Sequence, residues 1–157
     1  AVLANKGEWV APRLLQRSEP ENRVRLPPTS QKNIELKDQE NWSYIFKSME
    51  NVMHGREGTA RASGQGAKYR IAGKTGTAQV FSLSQDEESP KGDLPEHLRD
   101  HAIYMGFAPV ENPQIALALI VENSGGGSQI AAPIARQIFD LYLTPERLAQ
   151  MEKDHAP

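Results

Sequence analysis

Four consecutive residues, Lys74-Thr75-Gly76-Thr77, combine an ammonium group, two hydroxyls and a residue without a side chain. They lie in an apolar, β-prone run from Tyr69 to Val80, so we expect a rigid strand to present them. In an extended chain the two threonine side chains point the same way and can offer their hydroxyls to one anionic group. Lys74 leaves from the opposite face and must reach the same place over the strand's edge. Gly76 lets a ligand approach the main chain, so these residues predict the anion-binding wall of a cleft.

The tripeptide Lys-Thr-Gly taken alone also has a simpler interpretation. A lysine on a strand can extend its ammonium group into solvent beside two ordinary β-forming threonines. The rest of the chain has to decide between the two interpretations.

A helix is predicted before this strand. Its apolar residues recur at helical spacing between Asp38, the expected N-cap, and Gly55, which ends it. The glycine-rich segment 58–66 matches neither common phosphate-binding fingerprint, so we interpret it as a tight connection into the strand, predicted at about 68–81.

Two more strands and a second helix are predicted after the site strand. The segments 102–110 and 115–122 are apolar on both faces and are separated by a turn of hairpin length. In the helix, predicted at about 130–143, Ile134, Ile138, Leu141 and Tyr142 lie on one face. The predicted fold is α+β: an antiparallel sheet, part of a larger one, covered by helices on both faces.

The irregular segments complete the predicted organisation. Loops are expected at 16–32 and at 82–98, the second leaving directly from the site strand and suited to form a wall or lid. Residues 1–143 are predicted to be the C-terminal part of one domain. Thr144 is expected to cap a short helix in a tail, 144–157, that frays.

The composition excludes several classes of function. The 157 residues suit one domain or part of one, and the formal charge of −2 gives no reason to expect nucleic acid as a partner. No cysteine is present, so disulfides and cysteine-based zinc sites are excluded. No apolar run is long enough to span a bilayer, and no signal peptide is recognisable. Residues 1–7 read as the end of a helix, so we expect the chain to begin inside a domain.

Two histidines in the segment Glu96–His101 are spaced four apart and flanked by carboxylates. They would form a metal-binding face if the segment were helical. We interpret them instead as residues of a solvated loop and of the start of a strand, and we predict neither a metal nor a cofactor.

Several segments in order resemble one family. Together with the motif strand, the matching segments are Gly58-Thr59-Ala60, Arg99-Asp100-His101, Gly106-Phe107-Ala108-Pro109 and Glu122-Asn123-Ser124-Gly125-Gly126-Gly127. This set resembles the class B penicillin-binding proteins, and within them the elongation-specific D,D-transpeptidases. The resemblance runs from about Leu3 to Leu143 and covers the C-terminal part of the family's transpeptidase domain.

The chain departs from the family in what it lacks. No serine is followed by a lysine three residues later or by an asparagine two residues later, so the family's Ser-x-x-Lys and Ser-x-Asn motifs are absent. We therefore expect this chain to be the later part of a longer enzyme, as a cleavage product, a truncation or one piece of two. The remaining N-terminal part would carry both motifs.

The resemblance implies acyl transfer through a serine acyl-enzyme. Lys74 would aid proton transfer and attract the substrate carboxylate, and the backbone N–H of Thr77 would form half of the oxyanion hole; these are the two expected catalytic residues. Lys74, Thr75, Gly76 and Thr77 would together bind the substrate or a β-lactam. Without the serine, this chain alone would be inactive.

The resemblance also implies partners and a location. The substrate would be a peptidoglycan stem peptide ending in D-Ala-D-Ala, which β-lactam antibiotics mimic. A membrane glycosyltransferase of the elongation machinery would be a further partner. The enzyme would work at the periplasmic face of the bacterial inner membrane, held by an anchor that is not in this chain.

Two other functions stay open from the sequence. A serine β-lactamase or a β-lactam-sensing domain shares the Lys-Thr-Gly strand and would differ in how fast its acyl-enzyme is hydrolysed. A catalytically silent binding module would keep the strand without the serine motif upstream.

Overall fold

The computed structural model describes residues 1–10, 32–80 and 94–146, together with Lys153. Most of the predicted loops, 16–32 and 82–98, and most of the predicted tail lie outside these residues. The elements, in chain order, are α1 (Glu40–His54), α2 (Arg61–Gly64), β1 (Ala72–Ala78), a 3₁₀ helix (Glu96–Leu98), β2 (His101–Ala108), β3 (Ile115–Val121) and α3 (Ala131–Tyr142). None of the helices in the described part is long and apolar enough to cross a membrane.

The three strands form one antiparallel sheet in the order β1-β2-β3. The site strand is shorter than predicted, because its pairing with β2 runs only from Ala72, opposite Phe107, to Ala78, opposite His101. Helix α1 packs on one face of the sheet and α3 on the other. The predicted α+β fold, with helices on both faces of an antiparallel sheet, is therefore confirmed.

The face of the sheet that carries Phe107 is covered by α1. Trp42, Phe46 and Met49, spaced three or four apart, are buried there, and the rings of Phe46 and Phe107 lie 4.8 Å apart. The predicted apolar stripe of this helix is confirmed. The predicted N-cap is wrong by one residue, since Gln39 precedes the helix; the Asp38 carboxylate nevertheless accepts the N–H of Glu40 at 2.9 Å.

The buried face of α3 differs from the prediction. Leu141 is 80% exposed and Ile134 is 36% exposed, whereas Ala131, Ala135 and Phe139 are fully buried. The alanines allow the helix to lie close against the sheet, and Phe139 meets the ring of Tyr104 edge to face at 6.4 Å. Of the predicted face, Tyr142 packs partly buried against the core, whereas the alanines and Phe139 line the buried side of the helix.

Tyr104 fills a space that two facing glycines leave open on the α3 side of the sheet. A Cβ atom on Gly73 would lie 2.2 Å from the Tyr104 hydroxyl, and one on Gly106 would lie 2.6 Å from it. The hydroxyl contacts the Met53 sulfur at 3.4 Å. One buried ring thus joins β1, β2 and the end of α1.

The α1 side of β3 is uncovered in the described part of the chain. Ile120 is 63% exposed and Met105 on the neighbouring strand is 43% exposed. Ala118, opposite Met105, and Ala116, opposite Phe107, are exposed on the same face. Among the described residues, α1 therefore covers the end of this face that carries Ala72 and Phe107, while the part around Met105 and Ile120 is exposed.

Candidate active site

In β1 and the residues just before it, the main-chain N–H and C=O groups point toward β2 at one residue and away from the sheet at the next. The Arg70 carbonyl accepts the N–H of Val110, toward β2, at 3.0 Å. The next N–H, that of Ile71, points away from the sheet and donates to Nε2 of His54 at 2.9 Å. Because this alternation continues along an antiparallel strand, the N–H and C=O groups of Thr75 and Thr77 also point away from β2.

Lys74 reaches this outer edge from the opposite face of the strand. Its side chain is exposed, and Nζ donates to the Thr75 carbonyl oxygen at 2.5 Å. The ammonium group therefore lies at the edge to which the main chain of Thr75 and Thr77 points. A cation and outward N–H groups at one edge suit an anionic ligand.

The two threonine hydroxyls of the motif have different surroundings. Thr75 is 9% exposed, and its hydroxyl lies 3.1 Å from that of Thr59. Thr77 is exposed, and its hydroxyl oxygen accepts the N–H of Gly127 at 3.4 Å. Each hydroxyl is thus held by a residue outside the motif.

Gly76 has the Ile103 side chain on one face of the strand and the main chain of Gly127 close against the other. A Cβ atom on Gly76 would meet the Ile103 side chain at 3.3 Å, whereas one on Gly127 would lie 2.2 Å from the Gly76 carbonyl oxygen. The loop 125–127 therefore presses against the motif strand, and it can do so only because Gly127 has no side chain.

A polar network fixes the chain just before β1. The Tyr69 hydroxyl donates to the Asp140 carboxylate at 2.6 Å, and Arg136 donates to both oxygens of that carboxylate at 2.9 Å. Arg136 also donates to the carbonyls of Ser63 and Gln65. Burial raises the pKa of Asp140, but the hydrogen bonds from Tyr69 and Arg136 outweigh it and lower that pKa below its usual value.

His54 holds the outer edge at the entry to β1. Burial, followed by the positive charge of Arg70, lowers the pKa of His54, although the carboxylate of Glu50 partly opposes this effect. The neutral imidazole suits the observed bond, because Nε2 must have a free lone pair to accept the Ile71 N–H.

The two histidines of the other candidate site do not share a helix face. His97 belongs to the short 3₁₀ helix, whereas His101 begins β2 and its Nδ1 accepts the N–H of Asn123 at 2.9 Å. Within the described residues, no group of three or more His, Cys, Asp or Glu side chains could hold a metal ion.

The sequence did not indicate how Thr59, His54 and Gly127 contact the motif strand. Thr59 and Gly127 do lie in segments that carry the family resemblance, so that signal was available for them. His54 lies in the last turn of α1, where a histidine is favourable in any helix, and no local pattern reveals its contact with Ile71.

Comparison with known proteins identifies the relatives of this chain. Residues 1–140 match the penicillin binding protein transpeptidase domain. The peptidoglycan D,D-transpeptidase MrdA of Haemophilus influenzae is 45% identical over 116 residues, which cover 74% of this chain and 18% of the relative. MrdA of Salmonella typhimurium is 36% identical over 158 residues, which cover 99% of this chain and 25% of the relative. The chain thus spans a quarter or less of the length of these relatives.

Solved structures agree with the sequence comparison. Pseudomonas aeruginosa PBP2, in complex with WCK 5153, superposes with a TM-score of 0.75 at 41% identity, covering 92% of this chain and 28% of that one. Helicobacter pylori PBP2, in a complex with MreC, gives a TM-score of 0.51 at 32% identity over 66% of this chain and 17% of that one. The predicted resemblance to the penicillin-binding proteins is confirmed, and the relatives of this chain include MrdA and PBP2 proteins. The chain belongs to the penicillin-binding-protein transpeptidase-domain family.

Proposed function

We propose that this chain is the later part of a peptidoglycan D,D-transpeptidase that cross-links stem peptides through a serine acyl-enzyme. The observation that carries the proposal is the outer edge of β1, where the Lys74 ammonium group meets the outward main chain of Thr75 and Thr77. The family match and the names of the relatives support it.

In this proposal each motif residue has one role. The Lys74 ammonium group attracts the substrate carboxylate and aids proton transfer, while the hydroxyls of Thr75 and Thr77 donate to that carboxylate. The Thr77 N–H stabilises the oxyanion that forms on the attacked carbonyl, which is typically worth roughly a hundredfold or more in rate. Gly76 leaves the strand accessible to the ligand's main chain.

The nucleophile must come from elsewhere, because no serine of this chain has the family's spacing to lysine. We propose that the remaining N-terminal part of the same enzyme supplies Ser-x-x-Lys and Ser-x-Asn. The exposed apolar side chains of Met105 and Ile120, on a part of the sheet that no described element covers, support a further layer of the same domain. Residues 1–143 would complete that domain and 144–157 would be its tail.

The intact protein would act on D-Ala-D-Ala stem peptides, be acylated by β-lactams and work at the periplasmic face of the inner membrane. We also propose a membrane glycosyltransferase as a partner. The complex of the H. pylori relative with MreC supports the proposal that the intact protein works as part of a larger assembly.

Mass spectrometry of the intact protein with penicillin tests the proposal. We expect a mass increase of one penicillin on the intact protein and none on the 157-residue chain. Lys74→Met should slow acylation at least tenfold, because it removes the charge and keeps the length of the side chain. Lys37→Met, in which an exposed lysine outside the site is changed, is the matched control and should acylate normally.

Two results would contradict the proposal. An intact protein that forms no adduct would exclude the serine acyl-enzyme. An adduct that is hydrolysed within seconds would favour a β-lactamase instead.

A further inference from the structure

The hydroxyls of Thr59 and Thr75 form a pair at the motif strand. Their oxygens are 3.1 Å apart, and either hydroxyl can be the donor. A hydroxyl has one proton to donate and two lone pairs to accept with. Whichever threonine donates within the pair, the proton of the other therefore remains available to a ligand.

Thr59 is the accessible member of the pair. Thr59 is exposed, whereas Thr75 is only 9% exposed. Among the described residues, Thr75 is the one polar residue classed as buried. A ligand group that approaches the Thr75 hydroxyl from solvent therefore meets Thr59 as well.

The loop that carries Thr59 is seated firmly on the end of α1. The Ala60 N–H donates to the Val52 carbonyl at 3.0 Å, and a Cβ atom on Gly58 would lie 2.4 Å from the Asn51 carbonyl oxygen. The loop therefore presents the Thr59 hydroxyl at a fixed position relative to the strand.

We propose that Thr59 is a specificity-determining residue of the ligand site, and that the Thr59–Thr75 pair acts as one hydroxyl donor to the ligand's carboxylate. The Lys74 ammonium group donates to the main-chain carbonyl of the same Thr75 whose hydroxyl belongs to the pair. A cation next to hydroxyl donors selects an anionic group over a neutral one. This inference rests on the proposed transpeptidase function and extends it by one residue outside the Lys-Thr-Gly motif.

The test compares two probes on the intact protein: a penicillin with its free carboxylate and the methyl ester of the same penicillin. Thr59→Val keeps the shape and removes the hydroxyl, while Thr59→Ser keeps the hydroxyl. Ser48→Ala is the matched control, because Ser48 is also exposed and lines the same surface groove as Thr59 but lies on α1. The second-order acylation rate constant is measured for each, together with the melting temperature.

We expect Thr59→Val to slow acylation by the free acid about tenfold, because one hydrogen bond to a charged group is lost. Acylation by the ester should stay within about twofold, and the serine and control variants should match the wild type with both probes. If the valine variant does not fold, Thr59→Ala provides the same comparison.

Equal slowing of both probes would overturn the inference, because it would show a role in shaping the site rather than in reading the carboxylate. Unchanged rates for Thr59→Val would overturn it too, while leaving the proposed function intact. A wild-type protein that reacts with neither probe would instead remove the proposed function, and this inference with it.

Discussion

The outer edge of the motif strand is buried at one end of the strand and exposed at the other. At the first end the N–H of Ile71 is bonded to His54, and Ile71 and Ala72 are completely buried. At the second end the side chains of Lys74 and Thr77 are exposed, and the outward main chain meets the lysine's own ammonium group. We call residues 71–73 the closed half and residues 74–77 the open half.

The difference shows how one strand can serve as both scaffold and site. A buried edge donor without a partner is costly, so the closed half needs the imidazole that α1 supplies. The open half keeps its edge groups within reach of solvent, where a ligand can bind them. The closed half therefore fixes the position of the open half.

The largest expected effect comes from adding one methyl group to each half in turn. Gly73→Ala, in the closed half, would place a Cβ atom 2.2 Å from the fully buried Tyr104 hydroxyl, whereas Gly76→Ala would meet the Ile103 side chain at 3.3 Å. We expect Gly73→Ala to cost about 3 kcal/mol of stability and Gly76→Ala less than about 1 kcal/mol. Gly73→Ala should lower the melting temperature of the intact protein at least about three times as much as Gly76→Ala does. Equal melting temperatures would mean that the two halves are packed alike.

A somewhat smaller effect is expected at the loop that presses on the open half. Gly127→Ala would bring a Cβ atom within 2.2 Å of the Gly76 carbonyl oxygen and 2.4 Å of that of Ile103. We expect a loss of about 2 kcal/mol, since the loop can move away from the sheet, and slower acylation by penicillin because the N–H that holds the Thr77 hydroxyl moves too. Gly126→Ala is the matched control, since its nearest non-local atom would be 3.7 Å away. If both variants behave alike, the loop does not position the strand.

Local patterns in the sequence predicted the elements of the fold. The motif strand, the stripe of α1 and the β2–β3 hairpin all follow from spacing within a few residues. The buried face of α3 could not be predicted in this way, because periodicity gives the faces of a helix but not which of them the sheet will cover. Ala135 is buried and Leu141 is exposed, although leucine is the more hydrophobic of the two.

The candidate site was predictable only in part. The motif itself was visible as four adjacent residues, but its supports come from distant positions. Thr59 lies 16 residues before Thr75, and Gly127 lies 50 residues after Thr77. Such contacts depend on how the elements assemble, and one sequence does not reveal them.

The next effect concerns the imidazole that closes the first half of the strand. Burial and Arg70 lower the folded-state pKa of His54 below the unfolded value of about 6.5, against the opposing charges of Glu50 and Glu111, and Arg136 adds to the lowering. The folded state therefore takes up this proton less readily than the unfolded state. The stability from neutral His54 is fully present above about pH 6.5 and is lost as the pH falls through its folded-state pKa.

We expect the unfolding free energy of the intact protein to fall between about pH 7.5 and about pH 5.5 through this group, because the unfolded state takes up the proton more readily. His54→Gln, whose amide oxygen can still accept a hydrogen bond but does not titrate, should lose that part of the pH dependence. Urea unfolding at both pH values measures it. The same decline in both proteins would show that other groups cause it.

The smallest effect is expected where the chain enters the closed half. Tyr69→Phe removes only the hydroxyl that donates to Asp140 at 2.6 Å, so Arg136 still holds that carboxylate. The expected loss is about 1 kcal/mol, with a small decrease in melting temperature, because one partly buried hydrogen bond is lost and its acceptor keeps another donor. Tyr44→Phe, at a tyrosine that is 68% exposed, is the matched control and should leave the melting temperature unchanged. If Tyr69→Phe also leaves it unchanged, packing alone fixes the entry to the strand, and the closed half depends on His54 rather than on this network.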